Sequence, residues 1–269
     1  MNGNISDSQR LLAARLDDMI ERSARGMLVC GNFLSPADAA FIKSLAKERG
    51  AERNFFLFGG YDGAERQIPV LLPEFLFEYE GSAKERAEKI LSDELSLSVR
   101  AIRINGSGYR ALTHRDYLGA LLSLGIERDR IGDIIVENEF EAVVFCSGYI
   151  LDFLETHLEG VASDKVTVTE FVPGGNFCAK RDFSPITDTV ASERLDCIVA
   201  ALTNLSREKS QAVIKGGLCE LDYVCETRCD REVTPPCTVS VRGLGKYDIL
   251  SFDGETRRGR LRLVAQKYI

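Results

Sequence analysis

Several residue types and patterns that would mark particular classes of protein are scarce or missing here. Only two of the 269 residues are histidine, His114 and His157, so histidine-based acid–base or triad catalysis has few candidates. No apolar run approaches the roughly 20 residues that a membrane-spanning helix needs. The opening residues, MNGNISDSQR, lack the basic and apolar regions of a signal peptide. We therefore expect a cytoplasmic protein that does not engage a membrane.

Cysteine is present eight times, but no two cysteines form a CxxC pair. The four most closely spaced are Cys219, Cys225, Cys229 and Cys237. Five, three and seven residues separate them, which fits no zinc ribbon or finger. Cys146 occupies a position where a strand favours a small apolar residue. The pattern favours reduced cytosolic thiols over a zinc site, and we predict no metal.

Basic residues are also outnumbered by acidic residues, and the formal net charge is −7 at pH 7. The deficit is uneven along the chain. Residues 1–191 carry 21 Lys and Arg against 30 Asp and Glu, whereas residues 192–269 carry 13 against 11. Affinity for nucleic acid is therefore expected in the C-terminal third, where it would depend on the local placement of cations and not on overall charge.

Apolar periodicity and turn residues predict an α+β chain of several small domains. In residues 1–80 they predict two helices, the second with Ser35 as its N-cap and Pro36 in its first turn, followed by a β-hairpin. Residues 81–177 alternate elements in the order βαββαβ, which is typical of a ferredoxin-like plait and of RNA-recognition-motif domains. Polar residues 178–193 are interpreted as a linker to a C-terminal domain of residues 194–269. Near the end of that domain, alternation predicts a hairpin that turns at Asp253-Gly254.

Two patterns in the middle domain do not support the functions that they suggest. Its candidate strands offer only Phe140 and Phe145 for base stacking and lack the basic-glycine-aromatic string of an RNA-recognition motif. Gly106, Gly108 and Ala111 spell G-x-G-x-x-A after a strand, but the βαββαβ order does not fit a dinucleotide-binding fold. We therefore predict neither base stacking on this domain nor a bound cofactor.

The stretch SREKSQAVIKGGLCELD, residues 206–222, has the clearest functional pattern in the chain. It predicts a helix with basic residues, a glycine turn and a strand. Arg207, Gln211 and Lys215 recur every four residues along one face of this helix. An earlier helix opens at Arg194 and has apolar residues at i, i+3, i+4 and i+7. The alternative is an ordinary amphipathic helical hairpin whose cations are solvated.

This passage resembles the S4 RNA-binding domain, a small module named after a protein of the small ribosomal subunit. The residues that carry the resemblance are Arg194-Leu195-Asp196, Ser206-Arg207, Lys209, Val213-Ile214-Lys215, Gly217, and the alternation of Cys219, Leu221 and Asp222. The resemblance implies that the two helices lie against an RNA backbone. The implied RNA-binding residues are Arg194, Ser206, Arg207, Lys209, Gln211 and Lys215.

Further cations are candidates for extending this surface. They are Arg242, Lys246, Arg257, Arg258, Arg260 and Arg115. For the arginines after residue 256 the alternative is protection of an edge strand, since cations discourage edge-to-edge aggregation. For Arg115 the alternative is an ion pair with Asp133 or another carboxylate.

A second resemblance covers nearly the whole chain. The run HRDYLGALLSLGIERDRIGDI, from His114 to Ile134, is similar to the signature of the YlmH family of bacterial S4-domain proteins. Further matching segments are Gly59-Gly60-Tyr61 with Ala64-Glu65-Arg66, and Val241-Arg242-Gly243 with Gly245-Lys246. The resemblance implies a ribosome-associated protein that is encoded among cell-division genes. Related short heat-shock S4 proteins bind large subunits that still hold peptidyl-tRNA, so rescue of stalled subunits follows by analogy.

The expected function is therefore that of a non-enzymatic RNA-binding factor. Its partners would be structured rRNA, tRNA and the large ribosomal subunit, with no small-molecule substrate. One alternative is an RNA-modifying enzyme of the pseudouridine-synthase type, which would need an essential carboxylate near Asp116 or Asp133. Another alternative is an adaptor protein for cell division.

Overall fold

The computed structural model describes residues 7–174, 177, 179, 183–256 and 259–268. The chain divides into two compact units, Met1–Lys180 and Arg181–Ile269. Both combine helices with antiparallel sheets, so the predicted α+β class is confirmed. Within the described ranges, no helix is both long enough and apolar enough to cross a membrane.

The first part of unit 1 is a pair of helices on a small sheet. Its elements are α1 (Asp7–Ala24), β1 (Val29–Cys30), α2 (Pro36–Glu48), β2 (Phe55–Phe58) and β3 (Ile68–Leu71). The three strands are antiparallel in the order β1-β3-β2. Helix α2 starts as predicted, because the Ser35 hydroxyl accepts a hydrogen bond of 3.2 Å from the Asp38 N–H. Two short helices follow, α3 (Ala83–Ile90) and α4 (Ser92–Ser98), where the sequence predicts a single helix.

The second part of unit 1 is a five-stranded sheet with two helices. Its elements are β4 (Val99–Gly106), α5 (His114–Ser123), β5 (Ile131–Asn138), β6 (Glu141–Ser147), α6 (Leu151–His157), β7 (Gly160–Val161) and β8 (Asp164–Phe171). The strand order is β5-β6-β4-β8-β7, and every pair is antiparallel. Apart from the added short strand β7, the elements follow the predicted order βαββαβ.

Both faces of this sheet are covered, at least in part. Ile102, Ile104 and Val144 point to one face and pack with α5 and α6. On the opposite face, Ala101 and Phe145 share a core with residues before position 80. The structure therefore differs from the predicted division at 80/81, because buried residues from both sides form one core. It also leaves Phe145, which is 1% exposed, inaccessible to a base.

Unit 2 packs two helices on one face of a six-stranded sheet. Its elements are β9 (Phe183–Val190), α7 (Leu195–Thr203), α8 (Arg207–Lys215), β10 (Cys219–Leu221), β11 (Val224–Cys225), β12 (Cys237–Val241), β13 (Gly245–Glu255) and β14 (Leu261–Tyr268). The order is β11-β10-β12-β13-β14-β9, with antiparallel neighbours throughout. Buried residues of α7 and of the central strands form its core.

The structure differs from the sequence prediction at two places in unit 2. The predicted linker of residues 178–193 contains β9, which pairs with β14 from Phe183 to Val190. This pairing satisfies backbone groups of β14 that an edge strand would leave exposed. The predicted turn at Asp253-Gly254 lies inside β13, where the register shifts after Phe252. Strand β13 instead continues to Glu255 and the antiparallel β14 begins at Leu261; between them the Thr256 N–H donates to the Arg260 carbonyl at 2.7 Å.

Candidate nucleic-acid interface

Helices α7 and α8 pack against each other as a helical hairpin, and capping residues define where each helix ends. The apolar residues predicted to face inward on α7, Leu195, Ile198, Val199 and Leu202, are all buried. Helix α7 ends at Thr203 and is followed by Asn204 in the left-handed conformation, with φ 54°, after which the chain turns into α8. The Ser206 hydroxyl caps α8 by accepting a hydrogen bond of 3.3 Å from the Lys209 N–H. Ser206 is therefore held by its capping role.

Asp196 is the residue that organises the polar side of this hairpin. Its side chain is 0% exposed. It accepts hydrogen bonds from Arg194 Nε at 3.1 Å and Nη2 at 3.2 Å, from Arg207 Nε at 3.3 Å, and from Gln211 Nε2 at 2.7 Å. Three of the predicted RNA-binding side chains, one from the N-cap of α7 and two from α8, therefore meet on one buried carboxylate.

The ionisation of Asp196 follows from these contacts. Burial on its own would raise the pKa of this carboxyl, but the hydrogen bonds from Arg194, Gln211 and Arg207 outweigh it. The pKa of Asp196 consequently lies well below the usual range of aspartate. Because the folded-state pKa is lowered, the stability that this carboxylate contributes is present above the ordinary aspartate pKa of about 3.9 and is lost as the pH falls.

Parts of both arginine side chains remain available to a ligand. The Arg194 and Arg207 side chains are 40% and 59% exposed. Asp196 uses only Nε of Arg207, so the two terminal nitrogens of that guanidinium are not bound to it. Gln211 differs, because its amide nitrogen is bound to Asp196 and supports the carboxylate.

The two predicted lysines occupy different sides of α8. Lys215 follows Gln211 by four residues and Arg207 by eight, so it lies on the same side of α8 about two turns beyond Arg207. Lys209 is two residues from Arg207, which places it roughly 200° around the helix axis. Both lysines are exposed, and neither forms an ion pair with a residue that the structure describes. Arg194, Arg207 and Lys215 therefore form one group, and Lys209 stands apart.

The candidate extension is dispersed. Arg242 is exposed in the turn after β12, and its N–H donates to the Leu218 carbonyl at 2.9 Å, close to the end of α8. Lys246 lies over the rings of Tyr223 and Tyr268, at 4.9 and 4.4 Å from their centroids.

The remaining cations of the extension have mixed outcomes. The Arg260 guanidinium donates to the Thr189 hydroxyl at 3.1 Å and to the Thr189 carbonyl, so it joins the loop after β13 to β9. Arg115 is exposed in unit 1 and has no ion pair among the described residues, including the Asp133 that was its alternative partner. Arg257 and Arg258 lie outside the described residues.

In unit 1, Asp133 lies in the run from His114 to Ile134 that resembles the YlmH signature, and it contacts the matching segments that contain Tyr61, Glu65 and Arg66. Its carboxylate accepts hydrogen bonds from the Tyr61 hydroxyl at 2.7 Å, the Glu65 N–H at 2.7 Å and the Arg66 N–H at 2.9 Å. The Arg66 guanidinium then donates to the Ile131 carbonyl at 3.0 Å. These contacts fasten the loop after β2 to the start of β5.

Asp116, the other carboxylate that the RNA-modifying-enzyme hypothesis would require, also forms hydrogen bonds within the fold. Asp116 accepts hydrogen bonds from the Thr113 N–H at 2.9 Å and the Thr113 hydroxyl at 2.6 Å, which caps α5. These hydrogen bonds lower the pKa of Asp116. Asp116 and Asp133 therefore both hold backbone in place.

The cysteines of unit 2 are dispersed over core and surface. Cys219 and Cys237 are buried, and burial raises the pKa of each thiol to about 12. Cys225 and Cys229 donate weak hydrogen bonds to the carbonyls of Gly217 and Gln211 at 3.6 and 3.7 Å. In the part of the chain that the structure describes, no three His, Cys, Asp or Glu side chains could hold a metal ion.

Parts of the chain are similar to known proteins. Residues 93–172 match a family model described as "Putative RNA-binding domain in YlmH". The chain is also 25% identical over 237 residues to the "Ribosome-associated protein quality control protein P2" of Bacillus subtilis (strain 168), which spans 88% of this chain and 86% of that relative. Over residues 93–172 the chain is therefore similar to the YlmH family. A solved YlmH structure, "Cell division protein ylmH from Streptococcus pneumoniae", is 18% identical, with a TM-score of 0.48, over 64% of this chain and 95% of that one.

The YlmH match and the candidate interface occupy different parts of the chain. The matched residues run from α4 to just past β8 and lie in unit 1. Helices α7 and α8 lie in unit 2. Sequence reasoning found the cations of these helices but missed the role of Asp196. The available signal was an aspartate in the first turn of a helix whose neighbouring positions are apolar.

Proposed function

We propose that this protein is a non-enzymatic RNA-binding factor that associates with the ribosome. Its C-terminal unit would be an S4-type domain that docks on structured rRNA or tRNA of the large subunit. The observation that carries the proposal is the cluster in which Arg194, Arg207 and Lys215 are presented on one side of a helical hairpin, with two of the three oriented by Asp196. The name of the Bacillus subtilis relative supports a role in ribosome-associated quality control.

We propose that β4 to β8 with α5 and α6 form a ferredoxin-like plait that contributes a second contact. Because Phe145 is buried against the N-terminal elements, this contact would not use the stacking surface of an RNA-recognition motif. Arg115, exposed in the first turn of α5, is the candidate residue for it. The family model that matches this region supports an involvement with RNA.

The proposal predicts a defined salt dependence. If the four cations Arg194, Arg207, Lys209 and Lys215 neutralise phosphates, the logarithm of the affinity should fall with the logarithm of the salt concentration at a slope of about −2.8 to −3.6. Titrating purified large ribosomal subunits or bulk transfer RNA with the protein at several KCl concentrations measures this slope. A flat response would contradict the proposal, because recognition without phosphate contacts releases no counterions.

A further inference from the structure

We propose that α7 and α8 form one defined phosphate site, made by the guanidinium groups of Arg194 and Arg207 and assembled by Asp196. Asp196 acts as a positioning residue and does not itself touch RNA. The inference rests on the proposed function, since it names the backbone phosphate as the ligand of this part of the surface.

The first step is the way in which the two guanidinium groups are held. Asp196 accepts hydrogen bonds from Nε and Nη2 of Arg194 and from Nε alone of Arg207. These bonds hold two long side chains, one from the residue before α7 and one from α8, on a single buried carboxylate. Each arginine would otherwise lose rotamer entropy when a ligand orders it. Holding the side chains beforehand lowers this cost of binding.

The second step is what remains on the outer side. The two terminal nitrogens of Arg207, and Nη1 of Arg194, form no hydrogen bond to Asp196. Arginine presents such N–H groups in a planar fork that matches the geometry of a phosphate. The first turn of α8, which begins at Arg207, adds a partial positive charge beside them.

The third step is that Asp196 makes the site less positive. A bystander carboxylate would weaken phosphate binding by its charge, so its removal would strengthen binding. A positioning carboxylate has the opposite effect, because its removal frees both guanidinium groups to rotate. The sign of the change in affinity therefore separates the two roles.

The test compares the wild-type protein with Asp196→Asn, using bulk transfer RNA and purified large ribosomal subunits as probes. Although the variant is one unit more positive, we expect its affinity to be roughly tenfold weaker. Equal or tighter binding by a folded variant would overturn the site. Thermal unfolding of the variant shows whether it is folded at the assay temperature, since a buried position is changed.

A second pair of variants tests the proposed phosphate site even if Asp196→Asn does not fold. Arg207→Lys keeps the charge but lacks the planar fork, and we expect roughly fivefold weaker binding. Arg228→Lys is the matched control, because it makes the same change at an arginine of unit 2 that pairs with Asp230 at 3.8 Å. If Arg207→Lys binds as well as Arg228→Lys, the phosphate site is wrong. If the wild-type protein binds neither probe, the proposed function fails and the site fails with it.

Discussion

Replacing Arg207 and Lys215 together with glutamate should lower the affinity for large ribosomal subunits roughly 100-fold or more. Each replacement removes a charge-assisted contact and adds repulsion from phosphate. The two replacements together should cost about 3 kcal/mol or more of binding free energy. Both residues lie on one side of α8, four residues on either side of Gln211. Cosedimentation through a sucrose cushion at low salt, followed by immunoblotting of the pellet, measures the loss.

The double variant must remain folded for this loss to be informative. Arg207→Glu brings a carboxylate close to the buried Asp196, but the Arg207 side chain is 59% exposed and water screens much of the effect. We therefore expect only a small decrease in the midpoint of thermal unfolding. Unfolding of unit 2 instead would show that these residues act in the fold.

A control variant with the same change in net charge is available in unit 1. Lys43 and Lys47 are exposed on α2, and replacing both with glutamate also lowers the net charge by four units. We expect this control to keep nearly all of its affinity, because recognition depends on the local placement of cations. An equal loss in the control would show that overall charge, and not the helical hairpin, governs association.

Local chemistry made several elements predictable from the sequence. Ser35 and Pro36 define the start of α2, and the periodicity of α7 identifies its buried face, since capping and amphipathic patterns act within a few residues. The cations of α8 were found for the same reason. Each of these features depends on neighbours that are close in the chain.

Features that depend on distant partners were not predictable. Strand β9 lies in a polar segment, and it is a strand because β14, about 75 residues later, pairs with it. Phe145 is an aromatic residue that could stack on a base, but elements from the first 80 residues cover it. Likewise, Asp196 meets Arg207 and Gln211 only after two helices pack, so no spacing in the sequence indicates the cluster.

The second large effect is expected from Asp133→Ala, which should destabilise unit 1 by about 3 kcal/mol. The substitution removes the acceptor of three hydrogen bonds, which come from the Tyr61 hydroxyl and from the N–H groups of Glu65 and Arg66. It also removes a negative charge close to the partly buried Arg66 guanidinium. For a unit of this size the midpoint of thermal unfolding should fall by roughly 6 to 12 °C, measured by differential scanning calorimetry.

Asp62→Ala is the matched control for this prediction. Asp62 belongs to the same loop, but its exposed carboxylate contacts only Lys84 among the described residues, at 2.7 Å. We expect no measurable change in its unfolding midpoint, because an exposed ion pair contributes little. If Asp133→Ala unfolded like the wild type and yet abolished a modification of cellular RNA, Asp133 would be a catalytic carboxylate. The run from His114 to Ile134 would then contain part of an active site, and its Asp133 would not serve only to attach a loop to β5.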